Sequence, residues 1–489
     1  DFGTGSVVDR FQQIAPKVLF AVDGYSYNGK QFDRRDQVKE ILSRIPSIQT
    51  VVWIPLLGLP MEIEGPVESL AWEALMTHHP DPLEFVRLPF DHPIWILYSS
   101  GTTGLPKAIV HGHGGMLLEH LKYLSLHNDV KPGERFFWFS TTGWMMWNFV
   151  QASLLVGATA VLYDGSPAYP DLGRLWDKAV EIGIHHFGTS APFLVACMKA
   201  GLDRMDILEK APLRSIGSTG SPLPPEAFEY IYKNLKKDLW LCSMSGGTDV
   251  CTAFTGSCLE RPVYRGELQC RGLGVAMEAW NDAGDPVLCE MGEMVIVHPM
   301  PCMPVFFWGD PEFKHYLASY FEWHPGVWRH GDWIEITEHD GIIIYGRSDA
   351  TLNRHGVRIG TAEIYNVLNA LPELEDALIV NLELEGGDHF MPLFVKLKPG
   401  RVFDQALVDR IKKELREKCS PRHVPDRMVG VEEIPYTISG KKMESPVKKI
   451  LMNMDLKRAF NPDAMKNPAA MQFFIANREA LLRGSLGLH

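Results

Sequence analysis

Short apolar segments alternate with amphipathic ones through this chain, and that alternation constrains the fold more than any other feature. Apolar runs at 17–22 and 50–54 flank a helical stretch at 33–43. Farther on, a run at 159–163 is followed by helical spacing at 172–182, a run at 185–188, a helix at 192–200, and runs at 213–218 and 239–244. Strands that feed helices returning to a neighbouring strand build a largely parallel sheet covered by helices, so the expected class is α/β. From 263 to 345 the rhythm changes to short strands separated by Gly and Pro turns, which predicts a β-rich subdomain. A second α/β pattern follows, with a helix at 362–370, strands at 377–381 and 393–397, and a charged helix at 403–418. The expected organisation is a large domain over 1–348, a small domain over 349–442 hinged at Asp349, and a helical tail over 443–489 whose methionines pack.

Charge and cysteine usage narrow the function. With 48 basic against 60 acidic residues the net charge is −12, which argues against general affinity for nucleic acid or an anionic membrane. The eight cysteines form no CxxC pair and are read as reduced thiols of a cytosolic protein. His111, His113 and the paired histidines at 78–79 and 185–186 have no partner at metal-ligand spacing, so no metal cage is expected. No charged residue lies between Arg135 and Asp164, a length that could span a bilayer. Thr141, Thr142, Asn148, Gln151, Gly157 and Thr159 interrupt it, however, and its end reads as a turn and a strand, so no membrane span is expected. The two ends of the chain show neither a signal peptide nor a prenylation or peroxisomal motif.

The chemistry concentrates after the apolar run 94–98, which reads as a strand buried on both faces. The next residues are Ser99, Ser100, Gly101, Thr102, Thr103, Gly104, Leu105, Pro106 and Lys107. Two glycines let backbone N–H groups approach a polyphosphate, four hydroxyls add donors, and Lys107 adds charge, a set that could hold ATP. The spacing is not that of a P-loop, which needs four residues between its glycines and Lys directly after the second. A solvated Thr- and Gly-rich turn is the alternative reading. Two further turns, Gly217 to Pro222 and Ser245 to Asp249, also follow apolar segments. Ligands of open α/β sheets sit beyond the carboxyl ends of strands, so the three turns are expected to share one crevice, plain connecting loops being the alternative.

Taken together, these motifs resemble the adenylate-forming enzymes: acyl-CoA synthetases, luciferases and the adenylation domains of peptide synthetases. The stretch from Tyr98 to Lys107 is similar to that family's nucleotide loop. Gly220, Ser221 and Pro222 match its adenine-contacting turn, and Thr248 with Asp249 matches its Thr-Glu pair, Asp replacing Glu. Asp332 resembles its ribose-binding aspartate, the stretch Gly346 to Asp349 its hinge, and Ser439-Gly440-Lys441 the motif of its catalytic lysine. The resemblance implies ATP and CoA as substrates, Mg²⁺ held near Asp249, and Lys441 and Thr248 as catalytic residues. Arg347 would meet ribose or phosphate. Rotation about Asp349 would bring Asn353, Gly356 and Arg358, with Arg416, to CoA. A carboxylate would attack the α-phosphate of ATP, giving an acyl-adenylate, and CoA would then take the acyl group.

Residues 143–148, 162–167 and 434–437 resemble the acetoacetate-activating branch of the family, whose members make acetoacetyl-CoA. Acetate-specific relatives carry a Trp two residues before the motif Thr, where this chain has Gly246. Gly246 is therefore expected to open room for a four-carbon keto acid, with Trp144, Met145 and Met146 lining the wall. Another short-chain acid, such as acetate, propionate or butyrate, and a non-catalytic nucleotide-binding fragment remain the alternatives. Members of this branch carry residues before the position matching Asp1, so the chain resembles a form without the first part of the large domain.

Overall fold

The computed structural model describes residues 3–61, 65–77, 82–99, 106–348, 352–354, 357–359, 361–383, 389–438 and 440–488; of 353, 354, 357, 358, 383 and 458 only the backbone is described. Its centre is a five-stranded, all-parallel sheet in the order Trp240–Ser243, Ser215–Thr219, His186–Ser190, Arg135–Trp138, Thr159–Val161. Helices Arg174–Ile182 and Ala191–Lys199 lie where the sequence pattern places them. Trp138, Gly188, Gly217 and Cys242 stand at one register level across four adjacent strands. The Trp138 ring lies over both glycines: a Cβ at Gly188 would come within 2.0 Å of it, and one at Gly217 within 2.5 Å. Two strands therefore give up their side chains at that level to seat one indole.

A smaller parallel sheet, Val18–Val22, Thr50–Ile54 and Glu68–Ala71, carries its own core with helices Thr4–Phe11 and Arg35–Arg44. The β-rich region is confirmed as a five-stranded antiparallel sheet: Pro286–Val287, Met277–Trp280, Gly292–Ile296, Trp328–Ile336, Ile342–Arg347. It also contains a helix, Lys314–Tyr320, that its turn-rich sequence did not announce.

The run at 94–98 corrects one expectation. Strand Pro93–Ser99 is half-buried, not sealed on both faces. It is the edge of a three-stranded sheet, pairing antiparallel with Lys107–Gly112, which in turn pairs with Phe306–Phe307. An edge strand has a neighbour on one side only, so its cover is incomplete. Ser99 and Lys107 are register partners, so the Gly- and Thr-rich segment between them links two adjacent strands. The uncharged stretch after Arg135 folds as strand, helix and strand, and no helix among the described residues is long and apolar enough to cross a membrane.

Strands Leu374–Ile379, Pro392–Leu397 and Arg427–Gly430 form the small sheet, with helices Thr361–Asn369 and Gln405–Lys418 packed against it. The tail is helical and shares a buried cluster with that sheet, in which Met443, Met465 and Met471 pack. Met452 and Met454 depart from expectation and are exposed. The tail also reaches the first helix: Ser6 and Gly3 donate to Asp463, and Asn461 donates to Asp9.

Candidate active site

The turns after the parallel strands are tied to one another before any ligand is considered. Thr219 donates from Oγ1 to the carbonyl of Met244 at 2.9 Å, and the Met244 N–H donates to Ser218 at 2.9 Å. Gly220 has φ +91°, a conformation that glycine enters freely and that strains other residues, and Ser221 and Pro222 beside it are open to solvent. Trp144 is half-buried and is the neighbour that a Cβ at Gly220 would meet, at 3.8 Å. Met145 and Met146 are buried in the main core, so Trp144 is the member of that trio nearest the turn.

Asp249 is the electrostatic centre. Its Oδ1 accepts from Lys107 Nζ at 3.0 Å and from the Tyr320 hydroxyl at 2.5 Å. Burial raises the pKa of this carboxyl, but Lys107, His330 and the Tyr320 hydrogen bond outweigh it and hold the group well below the usual carboxylate range. Lys107 lies 4.8 Å over the Tyr320 ring, which stacks on Trp328 at 3.6 Å. The carbonyl of Thr248 accepts from His111 Nε2 at 3.1 Å. His111 is fully buried, and burial pushes its pKa down to about 4.

Asp332 and Arg347 face each other across paired strands, Arg347 donating to Asp332 Oδ1 at 3.2 Å. His330 lies 3.7 Å from the other Asp332 oxygen, and burial lowers its pKa despite that carboxylate. Lys441 sits on a tight turn: its N–H donates to Thr437 Oγ1 at 2.9 Å and its carbonyl accepts from Thr437 N at 2.8 Å. The residue is exposed to solvent, and Arg347, Asp332 and Asp249 lie within electrostatic reach of its ammonium. Dense surroundings and the Arg347 guanidinium push its pKa down, while Asp332 and Asp249 pull it up.

The structure thus brings together Lys107, Thr248, Asp249, Asp332, Arg347 and Lys441. Ser99 is half-buried at the end of its strand, with its Oγ buried and without a hydrogen-bond partner among the described residues. Ser100, Gly101, Thr102, Thr103 and Gly104, the hinge residue Asp349, Gly356, and the side chains of Asn353 and Arg358 lie outside the described residues. Arg416 is exposed on helix Gln405–Lys418, and no contact among the described residues joins it to the cluster. Gly246 is paired with Ala253, and a Cβ there would come within 2.0 Å of the Thr252 carbonyl, so the space beside it is filled by backbone. Gly247 is the glycine that faces the site, with His330 at 3.4 Å and Asp249 at 3.5 Å from where its Cβ would stand. Sequence reasoning missed Tyr320 and His330; the i, i+4 pair Tyr316 and Tyr320 inside an otherwise strand-like region was the available signal.

Three cations and two carboxylates thus share one cleft beside a glycine turn at the ends of parallel strands, a charge balance suited to anionic ligands. The chain belongs to the AMP-binding enzyme family, whose profile matches residues 1–298. Within that class its relatives include acetoacetyl-CoA synthetases. It is 45% identical over 483 residues to that of Rhizobium meliloti (strain 1021), covering 98% of this chain and 73% of the relative. To that of Danio rerio it is 42% identical over 488 residues, covering 97% and 72%. The solved acetoacetyl-CoA synthetase from Streptomyces lividans superposes with a TM-score of 0.91 at 48% identity, over 98% of this chain and 73% of that one. The anthranilate CoA ligase AuaEII, solved with anthranoyl-AMP, shares the fold at a TM-score of 0.74 and 18% identity, over 90% and 79%.

Proposed function

We propose that this chain ligates acetoacetate to coenzyme A at the expense of ATP. A carboxylate oxygen of acetoacetate attacks the α-phosphorus, the bond to pyrophosphate breaks, and acetoacetyl-adenylate forms. The thiol sulfur of CoA then attacks the acyl carbon, its proton is lost, and the carbon–oxygen bond to AMP breaks. The observation that carries this reading is the convergence of Lys107, Arg347 and Lys441 on a cleft that also holds Asp332 and Asp249.

Two anions meet in the first step, and the protein's contribution is to position them and offset their charge. Lys441, on its short tied turn, stands beside the carboxylate and α-phosphate. Asp332 offers acceptors to the ribose hydroxyls, with Arg347 holding one of its oxygens. Lys107 leaves Asp249 for a phosphate oxygen as nucleotide enters, and the Thr248 hydroxyl and the loop at 99–107 complete the cradle. Asp249 is a lone carboxylate, and no cluster of three metal-ligating side chains occurs among the described residues. That donor set fits an ion held mainly by substrate phosphates, as Mg²⁺ is. Asp249 would hold Mg²⁺ there together with the substrate's phosphates, and the ion would offset their negative charge.

The keto acid lies between Trp144 and Gly247, a shift from the expectation centred on Gly246. The small domain, 349–442, turns about Asp349 between the two steps, presenting Asn353, Gly356, Arg358 and Arg416 to CoA. Buried thiols whose pKa is raised, Cys197 to about 11 and Cys242 to about 12, suit the reducing cytosol. The test is thioester formation with ATP, Mg²⁺ and CoA, with acetoacetate, acetate and butyrate supplied separately. Acetoacetate-preferring turnover, with adenylation lost in Lys441→Ala, is expected; turnover with acetate but not acetoacetate would overturn the substrate, and none with any acid the reaction.

A further inference from the structure

Away from the cleft, a lysine of the large domain reaches the small one. Lys199 is the last residue of helix Ala191–Lys199, and it is half-buried. Its ammonium donates to the carbonyl of Glu375 at 2.8 Å and lies 3.4 Å from Asn369 Oδ1. Asn369 ends helix Thr361–Asn369, and Glu375 is the second residue of strand Leu374–Ile379. Burial lowers the Lys199 pKa, as do nearby Lys442 and Lys398, whereas Asp376 and Glu375 raise it.

The residue after Glu375 anchors the turn that carries Lys441. Asp376 Oδ1 is 2.7 Å from Lys442 Nζ, and Oδ2 accepts from the Tyr436 hydroxyl at 2.6 Å. Lys442 also donates to the carbonyl of Ala377 at 2.5 Å and lies 4.0 Å over the Tyr365 ring. Tyr436 and Lys442 bridge to each other across the base of the turn, with Thr437 and Lys441 between them. Contact thus runs from Lys199 to Glu375, through Asp376 to Lys442 and Tyr436, and so to Lys441. Movement of strand Leu374–Ile379 relative to Lys199 carries the base of that turn with it.

We propose that Lys199 is a positioning residue for adenylation: it docks the small domain on the large one in the arrangement that aims Lys441 at the nucleotide. The inference rests on the adenylate-forming reading given above. Lys199 touches no reacting atom, and the contact is used in the first step only, because a small domain that turns to admit CoA carries Glu375 and Asn369 away. A charged donor on a carbonyl shifts an equilibrium by about tenfold or more, taken at the low end here because the lysine is half-exposed.

The experiment measures the two half-reactions separately in wild type, Lys199→Ala and Lys199→Arg. Acetoacetate-dependent exchange of pyrophosphate into ATP reports adenylation, and thioester formation from a supplied acyl-adenylate and CoA reports the second step. The expected result for Lys199→Ala is an exchange kcat lowered about tenfold with the KM for ATP little changed, a normal second step, and substantial rescue by Lys199→Arg. Equal loss in both half-reactions would overturn the inference, since a merely structural role would produce it; so would unaltered exchange in Lys199→Ala. Absence of exchange in wild type would instead overturn the functional reading itself, and the inference with it.

Discussion

Removing one oxygen, in Tyr320→Phe, isolates what holds Asp249. The Tyr320 side chain is buried, its ring stacked on Trp328 at 3.6 Å and 12° and set edgewise to Phe307 at 5.7 Å, with Lys107 above it. Phenylalanine preserves every one of those ring contacts, so the change reduces to the hydrogen bond from the hydroxyl to Asp249 Oδ1. A hydrogen bond to a charged acceptor contributes about 1.5–3 kcal/mol. If Asp249 is thereby loosened at the nucleotide, kcat/KM for ATP in pyrophosphate exchange falls about 10- to 100-fold, at 1.36 kcal/mol per decade. Urea unfolding gives an independent readout. A carboxyl whose folded pKa is depressed contributes stability above its unfolded value, near 4, and loses it as pH falls through the folded one. The deficit of Tyr320→Phe is therefore full at neutral pH and shrinks in acid. Unchanged exchange and unchanged unfolding in Tyr320→Phe, with both impaired in Tyr320→Leu, would refute the argument and assign the work to the ring.

Other perturbations follow from the same geometry. Gly246→Ala drives a Cβ onto the Thr252 carbonyl, which cannot rotate away, and is expected to cost about 3 kcal/mol in denaturant melts, while Gly247→Ala, at ordinary contact distances, changes stability little and alters acyl preference. Gly188→Ala strikes the Trp138 ring and is expected to lose about 1–3 kcal/mol, with part restored by Trp138→Leu in the same chain, measured by urea midpoints. His111, with a folded pKa of about 4 against 6.5 unfolded, binds protons more readily when unfolded. Stability is therefore complete above pH ~6.5 and falls by up to about 3 kcal/mol towards pH ~4; His111→Gln should flatten that limb of a stability–pH curve.

Much of the fold was legible because hydrophobic period is a local property. Helices Arg174–Ile182 and Ala191–Lys199 and strands Thr50–Ile54 and Ser215–Thr219 fall within a few residues of where the pattern puts them. The same rule failed at Pro93–Ser99, because an apolar run does not say whether its strand is central or at an edge. In the site, the residues with chemical signatures, Lys107, Asp249, Asp332, Arg347 and Lys441, were all picked out. Their pairing was not: Lys107 and Asp249 are 142 positions apart, and Tyr320 belongs to a helix hidden among strands. Nor can a sequence say which of two adjacent glycines faces a cleft, since strand pairing decides it: Gly246 turns to Thr252 and Gly247 to His330.

The indole laid across Gly188 and Gly217 has a consequence for how this sheet can change over generations. Trp138 and the two glycines occupy one volume, so none of the three positions is free to drift alone. A larger residue at either glycine survives only after the tryptophan has shrunk, and a shrunken tryptophan leaves a cavity until a glycine has grown. Each single step is costly although the final combination need not be. Across relatives the three sites should therefore vary as a set, and lineages that keep the tryptophan should keep both glycines.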